Sequence, residues 1–488
     1  MGDSILVIDE GTTSTRAMLF AADGACLAAE RRELKQSCPR PGWVEHDAEE
    51  LWASSLACAQ AVVASGGGSE RVAALGITNQ RETILFWSRR TGKALAPAIV
   101  WQDRRTAELC ARLKAEGHEE AVQSRTGLLL DPYFSASKIA WGLGHWPQVR
   151  EAGDDLCVGT VESWLVFRLT GGLHVSDATN ASRTALMDIE SGRWDDGLLD
   201  MWGVPATILP EIVDCAGRLG ETLPEHFGLA IPICGMAGDQ QAASIGQACL
   251  EPGNSKATYG TGAFLLTHTG AELRRSRHRL LSTIAWQLGG ERRYALEGSV
   301  FVAGSLVKWL RDDLGLLGSA AETEALARSV PDSGGVQIVP GHSGLGAPWW
   351  RPDARGAITG LSFATGRAQI ARAALEAMAH QTHDLMTAFA ADGAPWEVLK
   401  VDGGMASNGW LAQDLADVLD LTVERPGFVE TTALGAAMLA GVGCGMFGSL
   451  EEAVGIRGAV ERFEPAMAEK VREARLAGWK KAVEGVLR

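Results

Sequence analysis

Residues 6–20 read LVIDEGTTSTRAMLF. Two apolar, β-type runs flank a bend that holds Asp9, Gly11, Thr12, Thr13, Ser14, Thr15 and Arg16. A glycine in such a bend lets backbone N–H groups converge on a phosphate with no Cβ in the way. The hydroxyls of Thr12, Thr13 and Ser14 add donors, and Arg16 adds charge and a guanidinium fork. Asp9, at a strand end, suits Mg²⁺ held through water, because that ion keeps part of its hydration shell. Taken alone, the stretch also reads as an ordinary β-hairpin, since Gly and Thr are common there. Glu10 is the odd member, because a negative charge beside a phosphate repels it. Successive strand residues face opposite sides, so Glu10 is expected to point away from the metal, toward a basic side chain.

Outward from this bend the first 90 residues read strand, strand, strand, helix, strand. A third apolar run lies near Cys26–Leu34. DAEELWASSLACAQAVV follows, with Leu51, Ser55, Cys58, Ala59 and Val62 at helical spacing and Asp47 as N-cap. VAALGIT and ETILFW return to β. After about residue 250 the order recurs. SKATYGTGAFLLTHTG is again strand, Gly-Thr turn, strand; LLSTIAWQL and RRYALEGS continue it, and a helix is expected near Phe301–Leu314. Strand VLKVDGG, helix NGWLAQDLADVL, strand LTVERP and the Ala/Gly-rich helix TALGAAMLAGVG complete the half. The echo is topological and predicts two facing copies of one α/β domain. QACLEPGNS, punctuated by Pro252 and Gly253, is the expected linker, which divides the chain into 1–249 and 250–488. Two Gly-Thr hairpins and the Gly-Gly turn of VDGGMASN, leading into a helix N-terminus, suit a nucleotide lying between two domains.

Composition agrees with this division. The 488 residues exceed one comfortable core, and 46% are hydrophobic, enough for two large ones. A net charge of −15 argues against nucleic acid or an anionic membrane as partner. An anionic substrate must therefore be held by local donors. No run of about 18 apolar residues appears, and no leader pattern precedes the first strand, so a cytoplasmic location is expected. The nine cysteines are scattered and never spaced C-x-x-C, which predicts reduced thiols. Helices are also expected over 368–390 and 466–487, the second with a stripe of Val471, Leu476, Trp479, Val483 and Leu487 facing the core.

GITNQRE, VWQDRRT, DPYFS, TNASRT, GDQQAA, TYGTG, YALEGSVF, GLGAPWW, RGAITGL, VDGG and AGWKKAV follow DEGTTSTR in order along the chain. With GAITGLSFATGRAQIARAALE, this set resembles the FGGY carbohydrate kinases over nearly the whole length. The resemblance implies duplicated ribonuclease H-like (actin/hexokinase-like) ATPase domains flanking a central cleft. It implies transfer of the γ-phosphoryl group of ATP to a terminal hydroxyl of glycerol, with Mg²⁺. Arg81, Glu82, Tyr133, Asp239 and Gln240 would contact the glycerol hydroxyls; Trp101 and Phe264 would be apolar walls; Asp239 would be the catalytic base. Asp9 and Asp239 would serve the metal. Thr12, Thr13, Ser14, Arg16 and Thr261 would face the phosphates, and Gly304, Lys308, Gly404 and Asn408 would line the nucleotide. Lys308 stands where relatives carry Gln, and its role is open. Each of these also has a plain structural reading: a surface ion pair at Arg81–Glu82, core aromatics at 101 and 264, turn glycines at 304 and 404.

Two regulatory features of the family are also expected to differ here. LPEHFGLAIPI has no arginine where relatives bind a sugar bisphosphate, so no such inhibition is expected. His226 in HFG resembles a histidine that a phosphocarrier protein modifies in other members, although an ordinary surface histidine is the stronger reading. Homodimers or homotetramers are usual in the family. The rival readings are a kinase for erythritol, dihydroxyacetone or xylulose, and a non-catalytic actin-like ATP switch.

Overall fold

A computed structural model describes residues 2–351 and 353–488. The first half opens with an antiparallel ribbon, β1 (Ser4–Glu10), β2 (Ser14–Ala21) and β3 (Cys26–Glu33). Helix α1 (Ala48–Ser65) follows, its N-terminus capped by the Asp47 carboxylate, which accepts from the backbone N–H of Glu49 and Glu50. It leads to β4 (Val72–Asn79), parallel to β1. Strands β5 (Ala216–Glu221) and β6 (Pro232–Gly238) complete a six-stranded sheet of order β5-β6-β4-β1-β2-β3, and α2 (Asp239–Gly246) leaves its edge.

The second half repeats the plan. β7 (Asn254–Tyr259) and β8 (Ala263–Gly270) form the second Gly-Thr hairpin, followed by β9 (Leu281–Leu288) and β10 (Glu291–Val300). Helices α3 (Gly304–Asp312) and α4 (Arg367–Ala391) precede β11 (Val398–Asp402), which runs parallel to β7 as β4 does to β1. Then come α5 (Gly409–Leu419), β12 (Val423–Pro426), α6 (Thr431–Gly443), β13 (Val460–Phe463) and α7 (Glu469–Leu487). The sheet order is β9-β10-β8-β7-β11-β12-β13. Two mixed sheets, each an antiparallel hairpin extended by a parallel strand, confirm the duplicated α/β architecture. On α7, Trp479 and Val483 are buried as expected, whereas Val471 in its first turn is exposed.

Every residue of β1 is buried, because α1 covers one face of the sheet and α6 the other. α6 crosses from the second half to lie on the first sheet and against α2. The approach is backbone to backbone. A Cβ on Gly435 would lie 1.8 Å from the carbonyl oxygen of Ala242, and one on Gly246 would lie 2.0 Å from that of Thr431. All nine cysteines are free, six of them buried.

Candidate active site

A cleft of about 790 Å³ separates the two sheets. It opens at the carboxyl ends of β1, β4 and β6, where open α/β sheets hold ligands. The β1–β2 turn contributes Thr12 and Thr13, the end of β4 contributes Arg81 and Glu82, and the β6–α2 junction contributes Asp239 and Gln240. From the second half come Thr261, in the β7–β8 turn, and Phe264 on β8. Trp101 and Tyr133 close the side. Ten of the residues expected at a site, distant in sequence, thus line one cavity.

The polar end is built on a strained backbone. Glu82 is fully buried with φ of +64°, a conformation costly to a non-glycine residue and typical of sites over-determined by their surroundings. Gly238 is required for a different reason: a Cβ there would sit 2.7 Å from Cγ and Cδ of Arg81. Arg81 therefore passes over the β6–α2 junction and brings Nε to 3.3 Å from Oδ1 of Asp239. Asp239 is one-third exposed to the cleft and accepts from the backbone N–H of Gln240 at 2.7 Å.

Behind Arg81 lies a buried charge network. Its two terminal nitrogens donate to Glu297 at 2.6 and 3.1 Å, and Arg183 donates to Glu297 at 2.9 Å and to Glu82 at 2.7 Å. Burial pushes the Glu297 carboxyl up, but Arg183 and Arg81 overcome it and hold it at about 2. For Glu82 burial prevails over the same two arginines, and its pKa is raised. Burial likewise raises the Tyr133 phenol, so it stays neutral and can both donate and accept. The Arg81–Glu82 pair is thus no surface ion pair.

The aromatic wall is edge-on. Trp101 meets Tyr133 at 5.5 Å and Phe264 at 6.1 Å between ring centroids, both T-shaped. Its indole N–H donates to Thr12 Oγ1 at 2.9 Å, so this wall also fixes the β1–β2 turn.

The remaining expected residues stand beside the cavity rather than on its wall. Asp9 is buried, 4.0 Å from Nε of Arg16, whose guanidinium pairs with Glu430 at the start of α6. Burial pushes Asp9 up to about 6 against the pull of Arg16, with Glu430 and Asp239 adding to the rise. Ser14 is buried at the start of β2. Gly304 opens α3 against the second hairpin: its N–H donates to the Gly260 carbonyl at 2.9 Å, and a Cβ would lie 2.6 Å from that oxygen. Lys308 is exposed one turn further on. Gly404 borders open space. Asn408 caps α5 by accepting from Leu411 N–H and donates to Thr323 at 3.2 Å, so its amide is committed within the fold.

Glu10 corrects the sequence reading in one respect. It faces away from Asp9, as strand alternation requires, but among the described residues it pairs with no basic side chain. Its carboxyl accepts from the Ser55 hydroxyl of α1, which also contacts Thr15. Burial pushes it up to about 8 against these hydroxyls, with Asp9 adding to the rise. His226 packs edge-on against Trp52 at 5.3 Å, with Nε2 at 3.2 Å from the Arg168 carbonyl.

Sequence reading missed three residues: Arg183, Glu297 and Lys256. All three lay inside quoted stretches, TNASRT, YALEGSVF and SKATYGTGAFLLTHTG. Lys256 is fully buried on β7, its ammonium donating to Gln240 Oε1 and, at 2.8 Å, to Thr258 Oγ1.

Two facing sheets around one cleft suit an enzyme that brings two substrates together, and the family comparison shows the class to be a carbohydrate kinase. Residues 4–246 match the N-terminal domain of the FGGY family of carbohydrate kinases, and residues 255–444 match its C-terminal domain. The chain belongs to that family. It is 55% identical to a glycerol kinase of Methylobacterium nodulans, over 98% of this chain and 97% of the relative. It is 54% identical to one of Rhodospirillum centenum, with the same coverage. Among solved structures, a Plasmodium falciparum glycerol kinase with ADP superposes with a TM-score of 0.94 at 36% identity, covering 99% of this chain and 98% of that one. A xylulose kinase from Rhodospirillum rubrum superposes at 0.88 with 25% identity, covering 99% and 98%.

Proposed function

We infer that this chain transfers the γ-phosphoryl group of ATP to a terminal hydroxyl of glycerol, giving sn-glycerol 3-phosphate and ADP. The carrying observation is identity of 54–55% over nearly the full length with proteins named glycerol kinase. The cleft is consistent with it. Arg81 donates, Glu82 and Asp239 accept, and Tyr133 and Gln240 do both, which matches a small uncharged triol. Trp101 and Phe264 stand where its carbon chain would lie.

In this reading Asp239 takes the proton of the attacking hydroxyl. The Arg81 nitrogen beside it holds the carboxylate in place. A carboxylate is a far weaker base than the alkoxide it would release, so the proton moves late, in a loose transition state. Thr12 and Thr13 on one side and Thr261 on the other face the space for the phosphates. Asp9 and Asp239 are the carboxylates for Mg²⁺. The fit is supported by Asp9, a buried carboxyl pushed up in pKa that a cation would return to its charged form. Among the described residues no three or more His, Cys, Asp or Glu side chains converge as a complete metal cage. That suits an ion held by one or two carboxylates and the substrate phosphates. When bound, the ion neutralises charge on the β- and γ-phosphates. Lys308 and Asn408 contribute least in this reading, the first exposed and the second spent on capping.

His226, half-buried and engaged with Trp52 and the Arg168 carbonyl, supports the ordinary-histidine reading over a phosphocarrier target. Homodimers or homotetramers and a cytoplasmic location remain part of this proposal. Among the described residues no helix is long and apolar enough to cross a membrane.

The test is initial rates of ADP release with Mg-ATP and glycerol, dihydroxyacetone, erythritol, xylitol or xylulose. Glycerol is expected to be preferred, and Asp239→Asn to lower kcat by about 10²–10⁴. Preference for a longer polyol overturns the substrate. Asp239→Asn activity within about tenfold of wild type overturns the base.

A further inference from the structure

We propose that Glu297 and Lys256, both from the second half of the chain, are positioning residues that hold Arg81 and Gln240 of the first half in the orientation that binds polyol. The proposal rests on the reading of Arg81 and Gln240 as glycerol contacts. It adds that these two side chains do not set their own geometry.

Glu297 lies on β10 and is fully buried. It takes both terminal nitrogens of Arg81 in a two-point fork, at 2.6 and 3.1 Å, and an Arg183 nitrogen at 2.9 Å. A fork of this kind fixes the guanidinium plane, not only its position. With both terminal nitrogens engaged on Glu297, Nε is the group that meets Asp239. Removing the carboxylate would leave Arg81 and Arg183 as buried like charges without their shared partner, free to turn toward Glu82 and Asp239.

Lys256 performs the same task for an amide. An ammonium has donors only, so the Gln240 oxygen must face it. The Gln240 NH₂ group is thereby turned away from Lys256 and left to donate to a substrate oxygen. Without Lys256 the amide has no reason to prefer that orientation. Lys256 is itself anchored on Thr258, and β7 runs on into the Gly260–Gly262 turn that faces the phosphate space. The polyol end of the cleft is thus finished by strands that also carry the nucleotide-side hairpin. Its shape depends on how the two halves sit together.

The experiment measures kcat and the KM values for glycerol and ATP in the full-length protein. The variants are Glu297→Gln, Lys256→Met, Arg81→Lys and the double variant Arg81→Lys/Glu297→Gln, each checked for an intact thermal transition. Glu297→Gln and Lys256→Met are each expected to raise the glycerol KM at least tenfold, with the ATP KM within threefold. Because Glu297 acts through Arg81, adding Glu297→Gln to Arg81→Lys is expected to change the glycerol KM less than threefold further. Multiplicative effects in the double variant, or a glycerol KM within twofold of wild type in Glu297→Gln and Lys256→Met while Arg81→Lys raises it, overturn the positioning role. An unchanged glycerol KM in Arg81→Lys instead overturns the contact beneath it. If Glu297→Gln does not fold, the KM split in Lys256→Met decides alone.

Discussion

Glu10 shows how a charge that looks wrong in sequence becomes harmless in the fold. It is fully buried between Ser55 and Thr15, and burial lifts its carboxyl to about 8. Near neutral pH the side chain is largely the neutral acid, so the charge that looks out of place in this turn is mostly absent. Glutamine reproduces that neutral shape. Glu10→Gln is therefore expected to change the ATP KM by less than about threefold, roughly 0.65 kcal/mol; a tenfold drop in that constant would show that Glu10 faces the nucleotide. Sequence reading reached the correct side of the strand from its period of two. It failed on the partner, because Ser55 sits on a helix 45 positions away. The same limit explains Arg183 and Glu297. Residue type and motif order were visible, but the pairings of Glu297 with Arg183, 114 positions away, and with Arg81, 216 away, exist only once both sheets have formed.

At the scale of elements, the Ala/Gly-rich helix α6 was readable as a helix, and its smallness on all sides marks a buried one. What it buries against was not readable. Of its three glycines, Gly435 lies over the Ala242 carbonyl of α2 and Gly443 over the Cys234 carbonyl of β6, both in the other half. Gly435→Ala forces backbone apart in a close-packed core and is expected to cost about 1–3 kcal/mol in urea denaturation; an unchanged midpoint would place the two helices further apart than described. The sheets carry a second measurable feature. His268 stacks on Trp286 at 4.6 Å, and His174 packs against Trp87 at 5.1 Å. Burial lowers both to about 4. Each is neutral in the fold and takes up a proton on unfolding below about 6.5, the ordinary histidine value. Stability is thus lost as pH falls from about 6.5 toward 4. Replacing His268 by Leu is expected to flatten the dependence of Tm on pH across that window. An equal slope in wild type and variant would remove His268 from the acid response.

For the whole molecule, the reading of two copies describes the order of the chain better than the distribution of its core. One hydrophobic cluster joins Ile5, Val7 and Ala74 of the first sheet with Ala433, Leu434 and Ala437 of α6. Ion pairs and hydrogen bonds cross the same boundary at Arg16–Glu430, Arg81–Glu297 and Gln247–Asp402. Periodicity could reveal the duplication because each half repeats it locally. It could not reveal the exchange of α6, which depends on a contact between halves. The consequence is testable. A fragment of residues 1–249 contains the first sheet complete in strands but lacks the helix that covers one of its faces. The uncovered apolar face then meets water, and the glycines at Gly76, Gly235 and Gly246 face empty space in place of α6 backbone. The fragment is expected to aggregate or to lack a cooperative urea transition, while the full chain unfolds in one step by both far-ultraviolet circular dichroism and tryptophan fluorescence. A soluble fragment with its own sharp transition would mean that α6 contributes little to the first core and that the two halves fold as separate units. A single transition in the full chain with an unfolded fragment would instead show that α6 belongs to the first core, so that the packing of α2 against α6 joins both halves into one cooperative unit.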